Sequence, residues 1–276
     1  MKGIIILDKP KGMTSNQTSL AVKQILNEKT AHVGTLDPNV TGILPILVGK
    51  AIKLQEFLQA HDKEYVCIMK TKEKIPEEEI KKTFEEFTGK IYQKPPEISA
   101  VAKKTRVRKI YSLELLETKD NFILFKTFCQ HGTYIRKLIE DFGLIWGTET
   151  EMIELRRTNA GGFTEQEAVT LQEVLDAVKL KEKKPELLNK IIKPVEYAVK
   201  RMPKAIVKNT AVKNIQNGAP VYSAGIIELK GDVKHDKPVA ILTQEGKLIA
   251  VGISLYDKPE TRKHKKAIKT KKVMRI

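Results

Sequence analysis

This sequence predicts a mixed α/β (α+β) fold with a central mixed or antiparallel sheet over residues 1–200, followed by a small β-barrel at 201–257 and a basic C-terminal tail at 258–276. Three observations carry that reading. Strand-like apolar runs alternate with amphipathic helical periodicity as far as residue 200. From Pro203 the pattern changes to short strands punctuated by glycines at 218, 225, 231 and 246. The last stretch is rich in lysine and too poor in apolar residues to fold alone. A chain of 276 residues can bury one large core together with one small one.

The elements follow in order. Residues 3–7 read as a short buried strand, ended by the turn Lys9-Pro10-Lys11-Gly12. Ser15 or Asn16 then caps a helix to about Asn27, with Leu20, Val22, Ile25 and Leu26 inward. A strand at 43–48 precedes a helix at 51–59 bearing Ile52, Leu54, Phe57 and Leu58. After a strand at 65–70, Pro76 and three glutamates start a helix over 77–88 that Gly89 stops. Strands at 107–117 and 121–130 form a hairpin, Thr133 caps a helix to about Ile145, a strand occupies 151–157, and Thr170 starts a further helix. The stretch 179–184 with Pro185 reads as a surface connection, and a short helix follows near 194–200. Strands at 219–228, 238–243 and 248–254 make the small barrel.

Composition narrows the partners. Fifty Lys and Arg against 34 Asp and Glu give a net charge of +16, which suits a polyanion. Residues 258–276 hold nine of the cations and one Glu, and 103–109 (KKTRVRK) hold five more. Cys67 and Cys129 lie in apolar runs and read as reduced core thiols. The five histidines show no ligand spacing, so no metal is expected. No stretch is apolar over the 18 or so residues that span a bilayer.

The most specific local signal is His32-Val33-Gly34-Thr35-Leu36-Asp37-Pro38-Asn39-Val40-Thr41-Gly42-Ile43-Leu44-Pro45. Glycines at 34 and 42 allow backbone conformations closed to other residues, and Pro38 fixes the angle just after the acid. A single carboxylate, Asp37, is presented at the edge of a core strand. It is the candidate nucleophile.

This segment resembles the GxLDPxxxGxLP motif of the TruB-type pseudouridine synthases. Five more segments resemble family motifs in the right order: 3–15 (GIIILDKPKGMTS), Lys63-Glu64-Tyr65 (KxY), 93–101 (QKPPEISAV, against QxPPxxSAxK), Gly132-Thr133-Tyr134-Ile135-Arg136 (GTYIR) and Glu154-Leu155-Arg156-Arg157-Thr158 (xLRRT). Within the family the chain is most similar to the archaeal, dyskerin-like catalytic subunit of box H/ACA ribonucleoproteins. Only eleven residues separate Ser99 from Tyr111, where stand-alone bacterial enzymes carry a longer tRNA-gripping insertion, and the region past 203 resembles a PUA domain.

The resemblance implies isomerisation of uridine to pseudouridine in RNA. The bond from nitrogen to sugar breaks, the base turns, and carbon 5 takes nitrogen's place. A carboxylate can hold a fragment meanwhile by adding to carbon 6 or to the anomeric carbon, so Asp37 must stay charged in a dry site. A fixed cation is needed beside it, and Arg136 is the candidate. Tyr65 is expected to stack on the flipped base and to help remove the proton from carbon 5. His32 is expected to contact the flipping nucleotide, Tyr134 and Leu155 to pack around the pocket, and Gly34 and Lys103 to join the substrate contacts. Lys103 stands in for the lysine that Val101-Ala102 lacks. Substrate and product are isomers, so no cofactor is expected.

Partners implied by the resemblance are an H/ACA guide RNA seated on the PUA domain, a substrate rRNA or tRNA, and three small proteins: zinc-ribbon-like, barrel-shaped and kink-turn-binding. The chain starts almost at its first strand, without the extension that wraps onto the PUA domain in relatives, which leaves that domain's packing open. The implied location is archaeal cytoplasm. A stand-alone tRNA T-arm synthase and a non-catalytic RNA-binding scaffold are the alternatives. Intact Asp37, Tyr65 and Arg136 speak against the scaffold, because a carboxylate in an RNA cleft repels phosphate.

Overall fold

The computed structural model describes residues 2–94, 104–258, 260–261 and 264–274. The chain opens with β1 (Lys2–Lys9), α1 (Ser15–Leu26), β2 (Thr30–His32) and β3 (Thr41–Gly49). A 3₁₀ turn, Lys50–Leu54, runs into the single-turn α2 (Gln55–Leu58) where one continuous helix was expected. Next come β4 (Lys63–Thr71), α3 (Glu77–Phe87), β5 (Gly89–Gln93), the hairpin β6 (Arg106–Lys119) and β7 (Phe122–Cys129), and α4 (Ile135–Trp146). The larger unit closes with β8 (Thr150–Ala160), β9 (Phe163–Thr164), α5 (Leu171–Lys179), α6 (Pro185–Ile191), β10 (Lys193–Pro194) and α7 (Val195–Ala198). The smaller unit contains β11 (Lys204–Val207), α8 (Asn209–Gln216), β12 (Val221–Tyr222), β13 (Ile226–Lys230), β14 (Pro238–Leu242), β15 (Leu248–Ser254) and β16 (Lys266–Val273). The fold is mixed α/β as expected.

Ten strands form the large sheet, in the order β10-β1-β3-β8-β4-β7-β6-β5 with β2 on β3 and β9 on β8. Its two antiparallel halves meet at one short parallel contact, Thr41 to Arg156 and Gly42 to Arg157. Only glycine fits there. Gly42 has φ +99°, and a Cβ on it would stand 2.8 Å from the Arg157 backbone nitrogen and closer still to the carbonyl oxygen. We expect Gly42→Ala to cost about 3 kcal/mol, from left-handed strain plus the clash. In calorimetry that is a fall in melting temperature of roughly 6–12 °C.

Helices cover the sheet because their apolar stripes match it. Phe84 of α3 and Phe142 of α4 meet Phe125 of β7, with Phe84 ring centroids 5.5 Å from Phe125 and 5.3 Å from Phe142. On the other half, Val22, Val174 and Ile191 from α1, α5 and α6 pack with Ile5, Leu7, Leu44 and Ile46. Both cysteines are buried and free.

Local predictions needed several corrections. Thr14, not Ser15 or Asn16, caps α1 in a reciprocal capping box with Gln17. Thr133 does not cap α4: its hydroxyl donates to the Gln130 carbonyl. The helix starts after Tyr134, whose backbone N–H and carbonyl are both held by the Gln93 side-chain amide. The assumed surface connection stops at Pro185, which begins α6 as an N1 proline. The helix expected near 194–200 is only the single turn α7. The expected strand at 219–228 is broken into β12, a 3₁₀ turn at Ser223–Gly225, and β13.

The tail prediction was wrong in kind. Residues 266–273 form β16, hydrogen-bonded between β15 and β12 in the six-stranded sheet β12-β16-β15-β14-β11-β13. Ala267 and Ile268 are fully buried while Lys266, Lys269, Lys271 and Lys272 face solvent. Apolar residues are few there, but strand geometry needs them on one side only.

The barrel sits on the larger unit through a shared apolar core. Ile4, Ile6, Leu47 and Leu54 cluster with Val199, Met202, Leu242, Leu248 and Met274. No helix among the described residues is long and apolar enough to cross a membrane.

Candidate active site

The loop between β2 and β3 carries Asp37 at the seam where the sheet halves meet. The turn after β1 holds it from one side. Pro38 O accepts from Gly12 N–H at 2.9 Å and from Lys9 Nζ at 3.0 Å. Lys9 is fully buried and also donates to Pro10 O at 2.8 Å and Met13 O at 2.6 Å. Burial holds its pKa below the ordinary lysine value, against the opposing pull of Asp37. Ser15, turned inward, clamps Leu36: its hydroxyl donates to Leu36 O at 2.9 Å and accepts from Leu36 N–H at 2.8 Å.

Arg157 of β8 holds the loop from the other side and is 1 % exposed. Its Nε donates to Ile43 O at 2.7 Å and its Nη2 to Gly34 O at 2.9 Å, so one guanidinium ties both ends of the loop. Its positive charge also acts on the Tyr65 phenol and favours the ionised form against burial. Gly34, at φ +74°, is wedged between Arg157 and Lys63: a Cβ there would lie 3.4 Å from Arg157 Nη1 and 3.5 Å from Lys63 Cε.

Arg136, on the first turn of α4, forms an ion pair with Asp37 through Nη2 and Oδ2. The carboxylate side chain is 56 % exposed and the guanidinium 41 %. The carboxylate is therefore open to solvent here, where the sequence reading expected a dry site. Tyr65 is 8 % exposed and packs with Leu36, Val40 and Leu155. Burial pushes its phenol pKa up, with Arg157 pulling the other way. His32 is half-buried with Nε2 at 3.2 Å from Thr35 Oγ1. Burial, then Arg157, lowers its pKa and favours the neutral imidazole. Leu155 is 8 % exposed and Tyr134 half-buried. Lys103 and most of the 93–101 motif lie outside the described residues.

Sequence reasoning missed Arg157, Lys9, Ser15 and Lys63 as site-building residues. A signal existed for one of them. Adjacent arginines in a strand must point to opposite faces, so Arg156 or Arg157 had to enter the core. Arg156 pairs with Asp8 at 2.9 Å and Glu165 at 2.5 Å, and Arg157 is the one inside.

Lys63 donates to Gln59 O at 3.0 Å and His61 O at 2.5 Å. Burial, then Arg157, pulls it from 10.5 down to about 8. Between those values the unfolded chain binds the proton and the folded one does not, so this group makes stability rise with pH from about 8 towards 10.5. Below about 8 the cost of the buried cation is fully present. Denaturant melts at several pH values should show a steeper rise for the parent protein than for Lys63→Met.

A protein of Picrophilus torridus named probable tRNA pseudouridine synthase B is 45 % identical over 262 residues, covering 94 % of this chain and 75 % of that one. Its namesake in Methanocaldococcus jannaschii is 44 % identical over 261 residues, 94 % of this chain and 78 % of that one. The TruB family pseudouridylate synthase N-terminal domain matches residues 23–135, and the tRNA pseudouridylate synthase B C-terminal domain matches 136–200. The chain belongs to the TruB family of pseudouridine synthases. A PUA domain follows at 203–274, spanning β16. Among solved structures, Cbf5 in a Cbf5-Nop10-Gar1 complex superposes with TM-score 0.93 at 38 % identity, over 99 % of this chain and 84 % of that one. A chain of an H/ACA RNP bound to a substrate RNA containing 2'-deoxyuridine superposes at 0.91, with 36 % identity over 99 % and 85 %. This TruB-family chain is an enzyme of RNA uridine isomerisation.

Proposed function

We propose that this TruB-family enzyme is the catalytic subunit of a guide-directed H/ACA ribonucleoprotein, with Asp37 as nucleophile. The observation that carries the catalytic part is the Asp37–Arg136 ion pair on a loop fixed at both ends by Arg157. A flipped uridine entering above Asp37 covers the open carboxylate and strips its water. Arg136 keeps it ionised as the dielectric falls, because a guanidinium stays charged at any working pH. Asp37 then adds to carbon 6 of the ring or to the anomeric carbon and holds that fragment while the base turns. Once carbon 5 has bonded to the sugar and the bond to Asp37 has broken, the carbon-5 proton leaves to solvent with the help of Tyr65, whose buried phenol keeps its own proton. His32, as a neutral imidazole, contacts the flipping nucleotide, and Tyr134, Leu155, Gly34 and Lys103 complete the pocket.

The guide-directed part is supported by superposition on Cbf5 structures and by the PUA domain. In this reading the guide RNA lies on the PUA domain, small proteins like the Nop10 and Gar1 of those complexes bind alongside, and the substrate is rRNA or tRNA in the archaeal cytoplasm. A second reading, a stand-alone tRNA enzyme, is favoured by the names of the archaeal relatives. Pseudouridine mapping in cells lacking this protein separates the two. Loss of guide-directed positions in rRNA supports the first, and loss confined to the tRNA T-arm supports the second.

A further inference from the structure

Beyond the Asp37 constellation, strand register gathers cations at one end of the large sheet. Lys63 pairs with Cys129 on β7 and with Ala160 on β8, and Ile110 of β6 faces Cys129. The residues just past those pairs therefore meet: His61 and Asp62 before β4, His131 and Gly132 beyond β7, Gly161 and Gly162 beyond β8, and Arg108 on β6. Bare glycine backbone lets the cations lie flat. A Cβ on Gly161 would stand 2.5 Å from His61 Nδ1, and one on Gly162 would collide with the Arg201 guanidinium. Arg108 covers Gly132, donating from Nε to its carbonyl at 3.1 Å.

The carboxylate acting on this group is Asp62. The basic groups lower one another's proton affinity. Burial, then Lys63 and Arg108, holds His131 below the ordinary histidine value, and burial, then Lys63, does so for His61, so both imidazoles favour the neutral form. The cations Arg108, Lys63 and Arg201 thus stand beside two neutral imidazoles and one carboxylate, an arrangement that an arriving anion favours.

We propose that this cluster seats a backbone phosphate of the RNA strand that leads into the Asp37 cleft. The position suits that path, because Gly132 opens the turn that delivers Arg136, and Lys63 touches the loop at Gly34. Arg108 already donates from Nε to Gly132 O and from Nη1 to Val107 O at 2.9 Å, so a phosphodiester would take its Nη2 and the imidazole N–H groups, contacts that fix register without reading sequence. The inference rests on the RNA-modifying reading above and adds a binding site to it.

The test is anisotropy with a labelled tRNA transcript from 50 to 300 mM KCl, comparing the parent protein with Arg108→Gln and with His131→Asn. Each variant should bind roughly 3–10-fold more weakly at low salt, and the Arg108→Gln slope of log affinity against log salt should shrink by about 0.7–0.9. Asp62→Asn should bind more tightly. Unchanged affinity and slope in both weakening variants would overturn the proposal, as would a change confined to the melting temperature. Wild-type protein that binds RNA through this cluster yet never releases carbon-5 tritium would sink the catalytic reading alone.

Discussion

Asp37→Asn abolishes turnover, by roughly 10⁴-fold or more, the scale seen when an essential active-site group is removed. The amide has the same shape but cannot add to carbon 6 or to the anomeric carbon, so no fragment is held while the base turns. Folding should be spared, because the Asp37 side chain is half-exposed and the backbone on either side of it is pinned, Pro38 by Lys9 and Gly12 and Leu36 by Ser15. RNA affinity should stay within about twofold, or tighten slightly, because a negative charge has left an RNA cleft. Single-turnover tritium release with enzyme in excess, set beside anisotropy with the same RNA, separates the two effects. Turnover that survives in Asp37→Asn would remove the nucleophile assignment.

Arg157→Met has the second-largest effect, on stability and turnover together. The side chain is buried and serves Ile43 O and Gly34 O. Methionine fills comparable volume but leaves those two carbonyls without their donor. Loss of a buried, hydrogen-bonded charge of this kind costs about 3–5 kcal/mol. At this chain length that is a fall in melting temperature of roughly 6–20 °C. In protein that remains folded, the freed loop should lower kcat more than it raises KM. Arg157→Lys keeps the charge but not the planar fork, so it should recover stability better than kcat. A variant with unaltered melting temperature and kcat would show that the loop is fixed by the Lys9 and Ser15 side alone.

Much of this could be read from the residues before the fold was known. Most strands and amphipathic helices up to α5 announced themselves by period and Gly or Pro punctuation, and the Asp37 loop by its glycines, whereas the short strands β2, β5 and β9 and the caps of α1 and α4 did not. Legibility failed where tertiary context decided. The strand β16 hides in a lysine run because its solvent face carries the charge and only Ala267, Ile268 and Met274 anchor it. Ser15 looked like a cap because local chemistry favours it, yet its hydroxyl goes to Leu36, 21 residues away in sequence. Arg136 was identified by motif, and the structure delivers it to Asp37 across 99 residues. Lys9 stayed invisible as a site residue because buried cations are rare and its partners are backbone carbonyls, which leave no trace in side-chain identity, whereas for Arg157 the adjacent arginines of β8 were a signal left unread.

The central claim is guide-directed isomerisation at Asp37. Its most direct test is tritium release from carbon-5-labelled RNA by purified protein, with and without a matched H/ACA guide and the small partner proteins, and with Asp37→Asn as the zero. Release is expected at the guide-selected uridine only when the guide and partners are present. Release from bare tRNA at the same rate with or without them would contradict it and leave the stand-alone enzyme in its place.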